Sequence, residues 1–161
     1  SMNLNVINAN LEDLPSEFRQ KSFDHVMTNP PFFIPNTLSE PIFKEKSTAN
    51  IETIDLSDWI YLSLKRLKSG GSFSIIHLTE RLPEILYSLS KSCGKICVLP
   101  MTARRSRPAK RVIVQGIKGS KVSMKLLEPF IVHDGQVHTG DKNDYSEMAN
   151  DILRKGHPLV L

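Results

Sequence analysis

The sequence has little cysteine and no long apolar run. Its 161 residues include two cysteines and one tryptophan, and no segment approaches the roughly eighteen consecutive apolar residues that span a bilayer. No charged and then apolar leader opens the chain. Cys93 and Cys97 lack the paired spacing of a zinc knuckle or of a secreted disulfide framework. We therefore expect a soluble cytoplasmic protein with reduced, structural cysteines and no membrane partner.

The composition is that of one globular domain rather than of a disordered or fibrous segment. Hydrophobic residues make up 40% of the chain and charged residues 24%, which is an ordinary balance for a domain with a single core. Ser1-Met2 resembles a protease scar ahead of an artificial start. We therefore exclude residues 1–2 and treat residues 3–161 as a single domain.

Positive charge is concentrated in one stretch of the chain. The net charge of +4 is a weak indication of a polyanionic partner, but its distribution is more informative, because no acidic residue follows Lys95 until Glu128. Such a stretch is either a solvated surface or a set of phosphate contacts, which supply sequence-independent affinity for nucleic acids. Its members are Lys95, Arg104, Arg105, Arg107, Lys110, Arg111, Lys118, Lys121 and Lys125.

Strand and helix patterns alternate along the middle of the chain. Apolar runs between turn residues predict strands, and apolar residues at helical spacing predict helices that stop near glycines. This alternation predicts an α/β sheet packed by helices, with an antiparallel edge formed by the last strands. The predicted strands are residues 4–7, 23–28, 72–78, 96–99 and 111–117, the last paired with 124–127 or 130–133, and the predicted helices are residues 56–67, before Gly70-Gly71, 82–89 and 145–153. Residues 10–15 are predicted to form a turn and residues 34–55 a long loop.

The segment Asp24-His25-Val26-Met27-Thr28-Asn29-Pro30-Pro31-Phe32-Phe33 carries the chemical signal. It predicts a strand that ends at Asn29, because proline cannot donate to a sheet ladder. Ligand sites of open α/β sheets lie at the carboxyl ends of the strands. The side-chain oxygen of Asn29 and the backbone oxygen of Pro30 could each accept a hydrogen of an amino group, which would aim its nitrogen at an electrophile. The prolines would hold these acceptors in place beforehand.

An aromatic pair follows the prolines. Phe32 offers a flat surface on which an extruded base could stack, a contact worth about 1–3 kcal/mol per base. Phe33 is either a second wall of that site or a core residue. The alternative interpretation is a proline-rich turn that ends a strand, with both phenylalanines packed inside the protein.

On these residues the chain resembles the S-adenosylmethionine-dependent amino-methyltransferases with an Asn-Pro-Pro-Tyr or Asn-Pro-Pro-Phe signature. Within them it is similar to the "small-domain" group related to the bacterial tRNA(Val) adenine-N6 methyltransferase. The resemblance covers nearly the whole chain. Its further motifs are Leu56-Ser57-Asp58-Trp59-Ile60, Leu67-Lys68-Ser69-Gly70-Gly71 before a strand, and Arg107-Pro108-Ala109-Lys110-Arg111-Val112.

The resemblance implies roles for individual residues. It implies a Rossmann-like class I methyltransferase sheet in which Asn29 to Phe32, including Pro31, bind the target amino group and its ring, and Asn29 also lies against the cofactor. It further implies that Asn10 and Leu11 contact the cofactor's adenine, where relatives carry an aspartate in place of Asn10. An amide oxygen can still accept from that adenine's amine. The residues expected to contact tRNA are Phe33, Arg104, Arg105, Arg107, Lys110 and Arg111.

Two parts of the family's cofactor site are absent from the sequence. No Gly-x-Gly precedes Asn29, and no acidic residue ends a second strand, so the chain corresponds to the family's strands 3 to 7. We expect such a partial domain to bind S-adenosylmethionine poorly and to be inactive alone. In the family's strand order, the strand ending at Asn29 would have an open edge, which is covered either by residues 4–7 or by a homodimer contact.

The other groups of polar residues do not indicate a catalytic or metal site. His133, Asp134 and His138 more often form a turn than a metal site, because zinc needs three or four protein ligands, and we predict no metal. Asp24 and His25 face opposite sides of a strand, so they are not expected to act as an acid-base pair. His77 either lines the carboxyl-end cleft or is a buried structural histidine.

The leading hypothesis is methylation of adenine N6 in tRNA. A second enzymatic interpretation is methylation of a glutamine side-chain amide, since related enzymes share the Asn-Pro-Pro-aromatic loop; the basic stretch favours RNA. The non-enzymatic interpretation is an RNA-binding module that retains a degenerate methyltransferase frame.

Overall fold

A computed structural model describes residues 4–31, 54–137 and 144–161 of the chain. In these residues a mixed sheet is flanked by helices, none of which is long and apolar enough to cross a membrane. The elements in chain order are α1 (Ser16–Arg19), β1 (Phe23–Thr28), α2 (Leu56–Lys65), β2 (Leu67–Leu78), a 3-10 helix (Thr79–Arg81), α3 (Leu82–Ser90), β3 (Cys93–Thr102), β4 (Arg111–Lys118), β5 (Lys125–Leu126), β6 (Phe130–Ile131) and α4 (Glu147–Lys155).

The strands form one sheet in which β1, β2, β4 and β3 lie side by side in that order. β1 pairs with β2 in parallel, whereas β4 is antiparallel to both β2 and β3. β5 and β6 each pair with β3 in parallel. All of these strands except β4 therefore end at the same side of the sheet, which we call the carboxyl edge. The predicted α/β fold class is confirmed.

The antiparallel strand lies inside the sheet rather than at its edge. β4 was predicted to pair with residues 124–127 or 130–133, but its neighbours are β2 and β3. Val112 and Val114 of β4 are almost fully buried, and a central position gives such a strand backbone partners on both sides. The predicted final pair instead supplies the two-residue strands β5 and β6.

Residues 4–7 do not form the predicted strand. Leu4 and Val6 are 84% and 86% exposed, and residues 4–10 have no regular structure. An apolar run becomes a strand only when a neighbouring strand pairs with it, and none of the described strands does so here. The turn that follows is present, since the Asp13 amide donates to the Asn10 carbonyl oxygen over 3.1 Å. α1, a single turn of helix, is too short to show a period.

The glycine pair lies in a strand rather than ending a helix. α2 ends at Lys65, and β2 begins at Leu67 with an irregular register in which Phe23 faces Leu67 but His25 faces Ser72. Gly70 has a φ of 79°, and a Cβ on Gly71 would lie 2.8 Å from the Asp24 carbonyl oxygen. The bulge thus needs glycine for backbone freedom and for close approach to β1.

One face of the sheet packs against α2 and α3. Ile60 of α2 and Ile85 of α3 are fully buried in a cluster with Phe73 and Ile75 of β2. Burying such side chains contributes about 1.5–3 kcal/mol each. Both cysteines are buried and form no disulfide.

The last helix is confirmed and has sequence-encoded ends. The Ser146 hydroxyl caps α4 by accepting from the Ala149 amide over 3.1 Å. Gly156 ends α4 with a φ of 71°, the left-handed conformation usual for a helix C-terminus.

Candidate functional site

Asn29 and Pro30 lie at the carboxyl edge, directly after β1. Asn29 is exposed and Pro30 is buried. Pro31, the last described residue before a gap, is exposed. An exposed carboxamide therefore sits next to a fixed backbone, as expected for a group that presents acceptors to a ligand. Phe32 and Phe33 lie outside the described residues.

The strand end before Asn29 is held by two elements. The backbone of Thr28 pairs with β2 at Ile75, and its hydroxyl oxygen accepts a hydrogen bond from Trp59 Nε1 of α2 over 2.6 Å. The helical spacing of Trp59, Leu64 and Leu67 predicts that all three belong to the core; the two leucines are buried, but Trp59 is half-buried. The signal in the sequence was the indole N–H of Trp59, which usually needs a hydrogen-bond acceptor when it is buried.

Asp24 and His25 take no part in this site. Asp24 is paired with Lys68, whose Nζ lies 2.9 Å from its Oδ1, and this bond lowers the pKa of the Asp24 carboxyl. His25 Nδ1 lies 2.6 Å from the Ser72 hydroxyl oxygen. Each side chain therefore contacts β2 near the start of β1, at the opposite end of the strand from Asn29.

The basic loop, residues 103–110, lies at the same carboxyl edge because it follows the end of β3. The neighbouring 3-10 helix holds its end: the Thr79 amide and hydroxyl donate to the carbonyl oxygens of Lys110 and Ala109 over 3.1 and 2.9 Å. β1 and β4 are two strand spacings apart, about 10 Å. The exposed basic side chains at this edge are those of Arg105, Arg107, Lys110 and Arg111.

Arg104 was expected to contact RNA, but its side chain is held within the protein. Its side chain is only 11% exposed and its guanidinium pairs with Asp144. It also donates to the Asp134 carbonyl oxygen. A guanidinium held in this way ties three loop segments together, and it has little surface left for a phosphate.

Asp144 also binds His133, at 2.7 Å between Oδ1 and Nδ1. The His133 ring stacks on Tyr145, with 5.2 Å between centroids. His138, the third member of the metal set considered above, lies outside the described residues. Among those described, no group of three or more histidine, cysteine or acidic side chains could hold a metal ion.

His77 is the buried structural histidine. Its side chain is 2% exposed, and its Nδ1 accepts from the Leu78 amide over 2.8 Å. Burial, with a smaller contribution from Arg81, lowers the pKa of His77 below its ordinary value. His77 shares the face of Phe73 and Ile75, the residues that pack against α2 and α3. It therefore faces the core side of the sheet.

Asn10 and Leu11 lie in the turn before α1. Asn10 is exposed and its side-chain oxygen accepts from the Glu12 amide over 3.1 Å, while Leu11 is half-buried. The contacts given for Asn10 stay within its own turn. The structure therefore does not join the predicted adenine-binding residues to Asn29 by any described contact.

Comparison with solved structures identifies the fold. A predicted O-methyltransferase from Agrobacterium tumefaciens is 22% identical and has a TM-score of 0.59, covering 81% of this chain and 50% of its own. The M1.HpyAVI-SAM complex has a TM-score of 0.46 at 11% identity, with 89% of this chain and 63% of that chain covered. M1.HpyAVI alone has a TM-score of 0.45 at 13% identity, with 80% of this chain and 68% of that chain covered.

No model of a protein family and no curated protein matches the sequence. The likeness to the Agrobacterium protein shows a shared α/β fold, and the chain spans about half the length of that protein.

Proposed function

We propose that this chain is part of an S-adenosylmethionine-dependent methyltransferase that modifies the amino group of a nucleic-acid base, with adenine N6 of tRNA as the substrate. The observation that carries the proposal is the arrangement at the carboxyl edge. There the exposed Asn29, between the anchored Thr28 and the buried Pro30, shares one side of the sheet with the basic loop.

The amino nitrogen of adenine is a poor nucleophile because its lone pair is delocalised into the ring. Asn29 Oδ1 and the Pro30 carbonyl oxygen each accept one of its hydrogens, which holds the nitrogen in place and favours a localised lone pair. The fixed backbone at Pro30 and Pro31 keeps both acceptors oriented before the reaction. Phe32 provides the surface on which the extruded base stacks.

When bound, S-adenosylmethionine supplies an electrophilic methyl group. Asn10 fits one part of this cofactor, because its amide oxygen has a second lone pair beside the one used by Glu12 and can accept from the adenine amine. Leu11 would offer an apolar contact to that ring. No glycine-rich turn precedes β1 in this sequence, so we propose that these residues alone bind the cofactor weakly.

The basic loop contacts the phosphates of the RNA. Arg105, Arg107, Lys110 and Arg111 are exposed at the carboxyl edge, and phosphate contacts of this kind position a nucleic acid without reading its sequence. We propose that Phe33 also contacts the RNA. Arg104 is assigned to the fold instead, because its guanidinium is paired with Asp144.

Methyl transfer tests this proposal. Labelled S-adenosylmethionine is incubated with bulk tRNA and the full-length protein. We expect label in tRNA, a loss of at least about a hundredfold in Asn29→Ala, and little change in Asn5→Ala, an exposed asparagine of residues 4–10. Label on glutamine of a protein substrate in place of tRNA, or cofactor binding without transfer, would contradict the proposal.

A further inference from the structure

The end of β1 has few backbone restraints. β1 is at the end of the strand order and pairs only with β2 among the described strands. A strand paired on one side frays more readily at its terminus than a central strand, which is held on both sides. Asn29 follows this terminus directly, so its orientation depends on whatever else holds Thr28 and Pro30.

Trp59 supplies the additional restraint on Thr28. Its Nε1 donates to the Thr28 hydroxyl oxygen over 2.6 Å, and Thr28 is half-buried. Trp59 is itself fixed, because Leu56 and Ile60 on either side of it in α2 are buried in the core. Asn29 thus has one neighbour tied to α2 and another, Pro30, buried in the protein.

We propose that Trp59 is a positioning residue for Asn29 and acts through the Thr28 hydroxyl. The catalytic role rests on the proposed function, whereas the link between Trp59 and Asn29 rests on the described contacts. Loss of the hydrogen bond leaves the pairing of Thr28 with Ile75 intact, so the sheet persists while the carboxamide of Asn29 samples a wider range of orientations.

Trp59→Phe removes the donor and keeps a smaller aromatic ring, and Thr28→Val removes the acceptor with little change of shape. In the methyl-transfer assay we expect kcat to fall about tenfold in each variant, with KM for tRNA nearly unchanged, because misorientation of a catalytic group impairs the chemical step. Thr28→Ser keeps a hydroxyl and should restore kcat. The double variant should lose no more than either single one.

A second readout does not depend on activity. In nuclear magnetic resonance spectra of the chain, Trp59→Phe and Thr28→Val should shift or broaden the side-chain amide signals of Asn29. Tyr61→Phe is the matched control, since it changes an aromatic residue of the same helix that is 56% exposed. It should leave those signals and kcat unchanged.

The outcomes separate the two proposals. Asn29 signals that respond to Trp59→Phe in a protein without methyl-transfer activity would support the positioning and contradict the proposed function. Unchanged Asn29 signals in both variants, or an unchanged kcat in an active enzyme, would overturn the positioning role. Equal losses of kcat in Trp59→Phe and Tyr61→Phe would also overturn it.

Discussion

At the scale of single residues, His77 is the clearest case of a titratable group committed to the fold. Its Nδ1 accepts a hydrogen bond from the Leu78 amide, which requires a deprotonated nitrogen. Burial lowers the pKa of His77 below the ordinary value of 6.5. The folded protein therefore holds this side chain neutral under conditions where the unfolded chain binds a proton.

This difference gives a pH dependence with a definite sign. Below about pH 6.5 the unfolded state carries more protons at His77 than the folded state, so the free energy of unfolding falls as the pH falls towards the folded pKa. The slope for one proton is at most about 1.4 kcal/mol per pH unit. Urea denaturation of wild type and His77→Gln between pH 7 and pH 5 measures how the free energy of unfolding changes with pH. The variant should show the smaller change per pH unit.

The same substitution at His157, whose side chain is 60% exposed, measures the effect of replacing imidazole by an amide away from the core. Slopes that are equal in wild type and His77→Gln would show that His77 is not the group responsible.

Residue roles could be predicted from the sequence where they depend on near neighbours. The position of Asn29 at a strand end follows from the two prolines after it. The role of Arg104 could not be predicted, because its partner Asp144 lies 40 residues away along the chain. Burial of His77 depends likewise on helices that pack over β2, and the sequence left its role open.

At the scale of elements, the basic loop combines a structural arginine with exposed cations. The Arg107 amide donates to the Arg104 carbonyl oxygen over 3.3 Å, and Ser106 has a φ of 60°. The tip of the loop is therefore held in a turn, and Arg104 anchors the start of the loop to Asp144.

We expect these two kinds of residue to respond differently to substitution. Arg105→Ala, Arg107→Ala and Lys110→Ala should each weaken tRNA binding and reduce the slope of log K against log salt by about 0.7–1. Arg104→Ala should instead lower the free energy of unfolding by roughly 2 kcal/mol, because a hydrogen-bonded charge partner is lost. Affinity titrations across salt concentrations and urea denaturation separate the effects.

Lys121→Ala is the control for the basic loop, since Lys121 is exposed and follows β4, which ends at the opposite side of the sheet. A similar loss of salt dependence in Lys121→Ala would indicate a general charge effect. Such a result would remove the basic loop from the proposed tRNA interface.

The long strands could be located from the sequence because their apolar patterns extend over several residues, although the bounds of β2 and β3 were predicted too short. β1 has the predicted bounds, and β2, β3 and β4 contain the predicted strands. β5 and β6 are only two residues long, so alternation cannot define them. The pairing of β4 with β2 and β3 depends on long-range packing, which no local pattern of residues 111–118 encodes.

At the scale of the whole molecule, assembly depends on the outer edge of β1. Phe23 is 38% exposed and Met27 88% exposed, and residues 4–10 do not cover the strand with a strand of their own. An edge that none of the described strands covers invites pairing with another chain. We propose that this chain alone associates into a homodimer through β1.

Sedimentation over a range of concentrations tests this proposal. The chain should shift from monomer to dimer as its concentration rises, and Met27→Lys should shift it back, because a charged side chain disfavours contact at a strand edge. Met148→Lys makes the same change at a residue of α4 that is 61% exposed. A monomer at every concentration, or equal effects of the two substitutions, would contradict dimerisation through β1.

In the proposed reaction, Asn29 and Pro30 direct a methyl group to the amino nitrogen of adenine. The most direct measurement is mass analysis of nucleosides from tRNA treated with S-adenosylmethionine and the full-length protein. We predict N6-methyladenosine with the wild-type chain and its absence with Asn29→Ala. Methylation at a ring nitrogen, on ribose or on another base, or N6-methyladenosine that persists in Asn29→Ala, would contradict the claim.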